Sequence, residues 1–258
     1  MIFLDGSLGH VLIERSKKKS AGTWSAQFLL KDSHLISEIY DEYIEAGSDI
    51  ITTNTYSTIP SYLSKAGLEG EMANLIRRAG ELAKNSALKY EGKIKIAGSS
   101  PPLDESYRPD LVHNLEQSLE VYEVLIKELN PFVDIYLCET ISSVEETKNV
   151  LESLKRFNSD KPVWLSWSLE DFNSNKLRSG EGIKAAFLEA EQYNPDAYLF
   201  NCTDPDSISK GLIELQKLTD KKIGAYPNVF SVPLGWTLDN NIKNQVRDLS
   251  KDAFVEYC

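Results

Sequence analysis

A chain of 258 residues with 41% hydrophobic content can bury a full core, and its net charge of −11 argues against a nucleic-acid or anionic-membrane surface, which needs clustered Lys and Arg. No run approaches the ~18 apolar residues of a membrane span, and Met1-Ile-Phe-Leu-Asp5 reaches a charge too early for a signal peptide, so a cytoplasmic protein is expected. Three widely spaced cysteines, Cys138, Cys202 and Cys258, fit a reducing compartment better than a disulfide framework.

Taken in order, the chain repeats a strand-then-helix pattern. Ile2 to Asp5 is a short apolar run that ends in Asp5-Gly-Ser-Leu-Gly9, where glycine permits a tight turn and the close approach of a ligand to the backbone. After a loop through Trp24, the residues Leu35, Ile36, Ile39, Tyr43 and Ile44 keep helical spacing until Gly47 stops the helix. Asp49 to Tyr56 is β-rich and ends in hydroxyls and an amide. A helix over 68–90 leads to a strand over 93–97, and Gly98 to Asp110 is too rich in turn residues for a regular element. Helices follow over 114–129, 143–157, 181–192, 207–218 and 241–257, with Ser143 and Glu146 spaced as a capping box. The strands between them cover 134–139, 163–169, 197–202 and 222–226.

That alternation predicts an α/β fold with parallel strands. The expected architecture is a (β/α)8 TIM-type barrel in a single domain, 1–258, with about seven of the eight strand-helix units present. An open doubly wound sheet is the competing fold, but the glycines of Asp5-Gly-Ser-Leu-Gly9 lack the spacing of a dinucleotide fingerprint.

In parallel α/β folds the ligand site lies off the carboxyl ends of the strands. Those ends carry Asp5, Asn54, Tyr56, Glu139, Asn201, Cys202, Tyr226 and Asn228, with Tyr107 on the long loop. Asp5 and Glu139 form a carboxylate pair suited to an ammonium group, and backbone N–H groups around Gly6 suit a carboxylate, which together describe an amino-acid site. For Asp5 a loop-bonding role beside Gly6 is equally open. Cys138, one residue before Glu139, points the opposite way and belongs to the core. Cys202 is either a small buried hydrophobe or a ligand or nucleophile.

Seven segments resemble the homocysteine S-methyltransferases in order and at every strand end: Asp5-Gly-Ser-Leu-Gly9, Trp24-Ser-Ala26, Ala46 to Tyr56, Gly98 to Asp110, Cys138-Glu-Thr140, Asn201-Cys202 and Tyr226-Pro-Asn228. The resemblance implies a zinc-dependent (β/α)8 barrel that methylates the thiol of homocysteine to give methionine. It implies that Cys202 is the first of three zinc thiolates, and that Asp5 and Glu139 contact the homocysteine amino group. Zinc with an open position would deprotonate the substrate thiol, and Tyr56 and Tyr107 could face a sulfonium or quaternary ammonium donor through their rings.

One departure matters most: the Gly-Gly-Cys-Cys motif that would supply the other two thiolates is absent. Cys258 does not replace it, because a final helix of some 17 residues spans about 25 Å away from the site. The chain then reads either as a barrel lacking its last unit or as a degenerate homologue that binds an amino acid without zinc or catalysis. Smaller departures are His10, read as a solvated loop residue or a group near the donor, and Val229-Phe230, where glycine commonly follows the asparagine. A missing eighth strand would leave the first and seventh strands with open edges, through which self-association is expected.

Overall fold

Apolar side chains on both faces of six short segments drive them into one parallel sheet with helices packed against its outer side. The computed structural model describes residues 1–17, 22–233, 235–237, 242–246, 250, 252 and 257. The strands are β1 (Ile50–Thr52), β2 (Lys95–Ser100), β3 (Ile135–Ile141), β4 (Val163–Trp167), β5 (Ala197–Asn201) and β6 (Lys222–Tyr226), hydrogen-bonded in sequence order. The helices are α1 (Leu8–Ser16), α2 (Ala26–Lys31), α3 (Ser33–Glu45), α4 (Pro60–Leu63), α5 (Met72–Leu88), α6 (Leu115–Leu129), α7 (Val144–Phe157), α8 (Ile183–Glu191) and α9 (Pro205–Leu215). This is the α/β arrangement of a TIM-type barrel, with each strand beside its sequence neighbour.

The first expected strand is reduced to a bridge. Leu4 pairs in parallel with Ile50, and the Asp5 N–H donates to the Ile50 carbonyl at 2.9 Å. All seven expected strand positions are therefore occupied, and β6 has no strand on its outer side among the described residues. The sequence pattern misses α1 and α2, which lie in the segment read as a loop. The helix expected over 241–257 is corrected where the chain is described: Gln245–Val246 (β8) pairs antiparallel with Phe230–Ser231 (β7). The rest of that stretch, Cys258 included, lies largely outside the described residues. At α7 half of the expected capping box forms: Ser143 Oγ accepts from the Glu146 N–H at 3.1 Å, while the Glu146 carboxylate turns to the N–H and hydroxyl of Ser142. The reciprocal box occurs at α6, between Asn114 and Gln117.

Strand alternation sorts the side chains. Ile50, Ala97, Ile135, Leu137, Trp164, Ala197 and Leu199 meet inside the curl of the sheet. Tyr136, Cys138, Leu165, Trp167, Tyr198 and Phe200 face outward into the helical layer. At the amino ends of the strands an aspartate recurs with one job. Asp49 accepts from the Phe3 N–H, Asp134 from Ile96 N–H and Asp196 from Val163 N–H, each at 2.8–2.9 Å across to a neighbouring chain segment.

Trp167 anchors the outer layer. Its ring stacks on Tyr198 at 5.5 Å between centroids and 7° between planes, and its Nε1 donates to Thr147 Oγ1 at 2.9 Å. Trp167→Ala would remove a fully buried side chain and leave that hydroxyl without its donor, so a loss of about 3–5 kcal/mol is expected. Urea denaturation checks it, and a midpoint within error of the parent would show that the layer closes over the gap.

Candidate functional site

At the carboxyl ends of the strands the inward positions become polar. Along β3 the inward series Ile135, Leu137 ends in Glu139, and along β5 Ala197, Leu199 ends in Asn201. Asn201 is fully buried and bonded at both ends of its amide: its Oδ1 accepts from the Thr140 N–H at 2.9 Å and from Ser166 Oγ at 2.7 Å, while Nδ2 donates to Thr140 Oγ1 at 2.8 Å. These bonds hold the ends of β3, β4 and β5 together. They also hold Thr140 at φ 63°, and the next residue after Asn201, Cys202, turns to φ 53°. Left-handed backbone at non-glycine residues is costly and persists where surrounding bonds over-determine it.

Glu139 accepts hydrogen bonds from Ser99 Oγ and from the Tyr226 hydroxyl, the latter at 3.2 Å. Burial raises its pKa, and those two donors only partly counter it. Asp5 accepts from the Thr52 N–H and from Thr52 Oγ1, both at 2.8 Å. Burial pushes its carboxyl up to about 7, against the lowering effect of the Thr52 bonds and with help from the charge of Glu139. The two carboxylates thus share one electrostatic neighbourhood without a cation among the described groups that shift them. The loop-bonding role of Asp5 is real: each of its oxygens accepts one bond from Thr52. Gly6 lies against Tyr43, where a Cβ would sit 2.7 Å from the ring and would force the end of that side chain to move.

Cys202 sits across from Glu139. Its thiol is pushed up to about 11 by burial, with the Glu139 charge adding to the effect, and it faces the side chains of Thr140, Tyr107 and Asn201. Tyr107, itself at φ 64°, directs its hydroxyl toward Asn228 and Cys202. Tyr56 reaches Ser106 Oγ at 2.7 Å and lies near enough to Tyr107 and Cys202 for their charges to raise its pKa, after burial. Asn54 is the outlier: its Nδ2 donates to the Ser25 carbonyl at 3.2 Å, which ties the end of β1 to the start of α2. The Asn228 N–H donates to the Thr203 carbonyl at 2.9 Å. His10 contacts the mouth loops through Ser7 Oγ at 2.7 Å from Nδ1, and through the rings of Trp24 and Phe230.

The structure therefore gathers Glu139, Asn201, Cys202, Tyr107, Tyr56, Tyr226 and Asn228, with Asp5 and Gly6 on the β1 side. Sequence reasoning missed Ser99, Thr140 and Ser166, which hold those side chains. It also missed Asp171 and Arg178, a buried ion pair at 3.2 Å with side chains 3% and 4% exposed. A serine at an inward strand position was the available signal for Ser99 and Ser166; Thr140, next to Glu139, and the ion pair have none, because their meaning lies in distant contacts.

A family model described as homocysteine S-methyltransferase matches residues 2–258. The chain is similar to homocysteine S-methyltransferase YbgG of Bacillus subtilis, 27% identical over 88% of this chain and 77% of that protein. It is 30% identical to homocysteine S-methyltransferase 1 of Arabidopsis thaliana, over 80% of this chain and 69% of that one. Among solved structures it superposes on the metallated form of the homocysteine methyltransferase MmuM from Escherichia coli with a TM-score of 0.80 at 26% identity, over 88% of this chain and 83% of that one.

A zinc site of three thiolates does not fit the described residues. Cys138 is fully buried in the outer layer, on the far side of β3 from Glu139, which leaves Cys202 as the one described thiol at the mouth. Among the described residues no group of three His, Cys, Asp or Glu could hold a metal. The chain is accordingly expected to retain little zinc after dialysis against a mild chelator, because one thiolate cannot build a four-coordinate site. Metal analysis decides it: near-stoichiometric zinc that disappears in Cys202→Ser would reveal other donors.

Proposed function

The chain belongs to the homocysteine S-methyltransferase family, and from that premise we propose that its barrel mouth binds homocysteine as a methyl acceptor, with methionine as the product. The observation that carries the reading is the pair of partly buried carboxylates, Asp5 and Glu139, which lack a cationic partner among the groups acting on them. Two such groups held in one low-dielectric mouth are unfavourable until a cation joins them. The ammonium of an amino acid supplies that cation. Glu139, fixed by Ser99 and Tyr226, orients it from one side. Asp5, fixed by Thr52, does so from the other, and the backbone around Gly6 receives the substrate carboxylate.

In this pose the substrate thiol extends toward Cys202 and Asn201. Tyr56 and Tyr107 line the remaining side, where a small methyl donor with an onium centre could meet their ring faces. The methyl must arrive in line with the acceptor sulfur, so the task of these side chains is to align two small molecules. Of the described residues, Cys202 is the one thiol at the mouth that would face a zinc ion. A substrate thiol needs reducing surroundings, which agrees with a cytoplasmic setting. No helix of the described residues is long and apolar enough to cross a membrane.

Glu139→Gln removes one charge-assisted contact to the ammonium, so homocysteine affinity is expected to fall by about 10- to 100-fold. Titration calorimetry on the full chain reads this directly, and an unchanged affinity would take Glu139 out of the site.

The pH dependence has a definite sign. With its carboxyl raised to about 7, folded Asp5 binds a proton more tightly than it does in the unfolded chain. Stability of the ligand-free protein therefore falls as pH rises from the ordinary carboxylate range through about 7. An ammonium ligand prefers the ionised form, so its binding should strengthen over the same interval, level off above it, and lose that dependence in Asp5→Asn. A flat profile in the parent chain would contradict the assignment.

A further inference from the structure

Asp171 and Arg178 lie on the loop between β4 and α8, which folds back on itself through antiparallel bridges Leu169 to Leu177 and Lys176 to Gly182. The loop is fastened to the strand ends beneath it: Arg178 N–H donates to the Ser168 carbonyl and Ser179 N–H to the Ser142 carbonyl, both at 3.0 Å. From that base one carboxylate collects three loops. Asp171 Oδ1 accepts from the Asp204 N–H at 3.1 Å, while Oδ2 accepts from the Val232 N–H at 2.7 Å and from Arg178 Nη1 at 3.2 Å.

Arg178 adds a fourth loop. Its Nη2 donates to the carbonyls of Val232 and Pro233, and its guanidinium carbon lies 5.6 Å from the centre of the Tyr107 ring. Tyr107 also meets Trp236, at 5.9 Å between ring centroids, and its hydroxyl faces the Asn228 and Cys202 side chains. Tyr107 is thus set between a buried cation on a rigid base and the thiol at the end of β5. A flat, delocalised cation suits this place because it can bond two carbonyls in its plane and present its face to a ring.

We propose that Arg178 is a positioning residue that holds Tyr107 beside Cys202 and thereby controls how far the Cys202 thiol is open to a molecule in the mouth. The inference concerns geometry at Cys202 and holds whether or not homocysteine is the ligand.

The test is alkylation of the full chain with iodoacetamide, followed by the rate of labelling at the Cys202 peptide. Cys138, fully buried in the outer layer, reports unfolding in the same sample. Arg178→Met is expected to speed Cys202 labelling about five- to tenfold, the Boltzmann factor of a partly desolvated cation–π contact, while Cys138 stays unlabelled. Tyr107→Ala should do the same, and Arg178→Met should add nothing further in the Tyr107→Ala background. Arg178→Lys keeps the charge beside Asp171 but loses the planar face, and should give a smaller acceleration; it serves also where Arg178→Met does not fold. Unchanged labelling in both Arg178 variants, or an Arg178 effect that persists in full without the Tyr107 ring, would overturn the proposal. Homocysteine affinity does not enter this measurement, so failure here and failure of the acceptor assignment are separate results.

Discussion

Six parallel strands hydrogen-bonded in sequence order, with one shift in the β3–β4 pairing between Cys138 and Ile141, determine which side chains can reach the axis of the molecule. With a side-chain period of two, Glu139 and Cys138 must face opposite layers, and so must Asn201 and Phe200. The inner series is short, because the curl leaves room for few side chains. It is apolar in the lower part, Ile135 and Leu137 or Ala197 and Leu199, and polar at its last position. Every feature of the mouth depends on that change occurring at the same height on neighbouring strands.

Polarity at that height is expensive unless it is fully bonded. The network around Asn201 meets the condition: each end of the carboxamide has partners from β3 or β4, and Thr140 and Cys202 accept left-handed backbone as the geometric cost. Such strain costs roughly 1–3 kcal/mol per residue, comparable with a few good buried hydrogen bonds. The carboxylates of Asp5 and Glu139 are bonded less completely, and burial moves their pKa values upward. The contrast divides the mouth into a settled part that carries Asn201 and a less settled part that carries Asp5 and Glu139.

Much of the frame was legible because it rests on local periodicity. All seven strand positions and the long helices follow from apolar spacing, and the outward placement of Cys138 follows from its adjacency to Glu139. The α1 and α2 helices escaped because their glycine- and lysine-bearing surroundings read as loop, and they are stabilised by packing: Leu8, Leu12, Phe28 and Leu29 are buried against the main core. The β7–β8 pair escaped for a different reason, since its short segments join residues such as Ser231 and Gln245 whose pairing no local pattern announces. At the site, the chemistry-bearing side chains were visible as polar residues closing apolar runs. Their holders were not, because the Asn201–Thr140 contact spans 61 residues and the Arg178–Val232 contact 54.

The aspartates at the opposite end of the strands have a consequence for how such a molecule can change over evolutionary time. Asp49, Asp134 and Asp196 each latch a backbone N–H of an adjoining segment, at the face remote from the mouth. A slip of one residue in strand pairing would both invert the side-chain alternation and unfasten these latches. Alignment is thus secured at one end, and loop residues at the other end are released from that duty. Substitutions such as His10 or Val229 can then accumulate at the mouth as experiments in ligand choice, while the scaffold that presents them keeps its register.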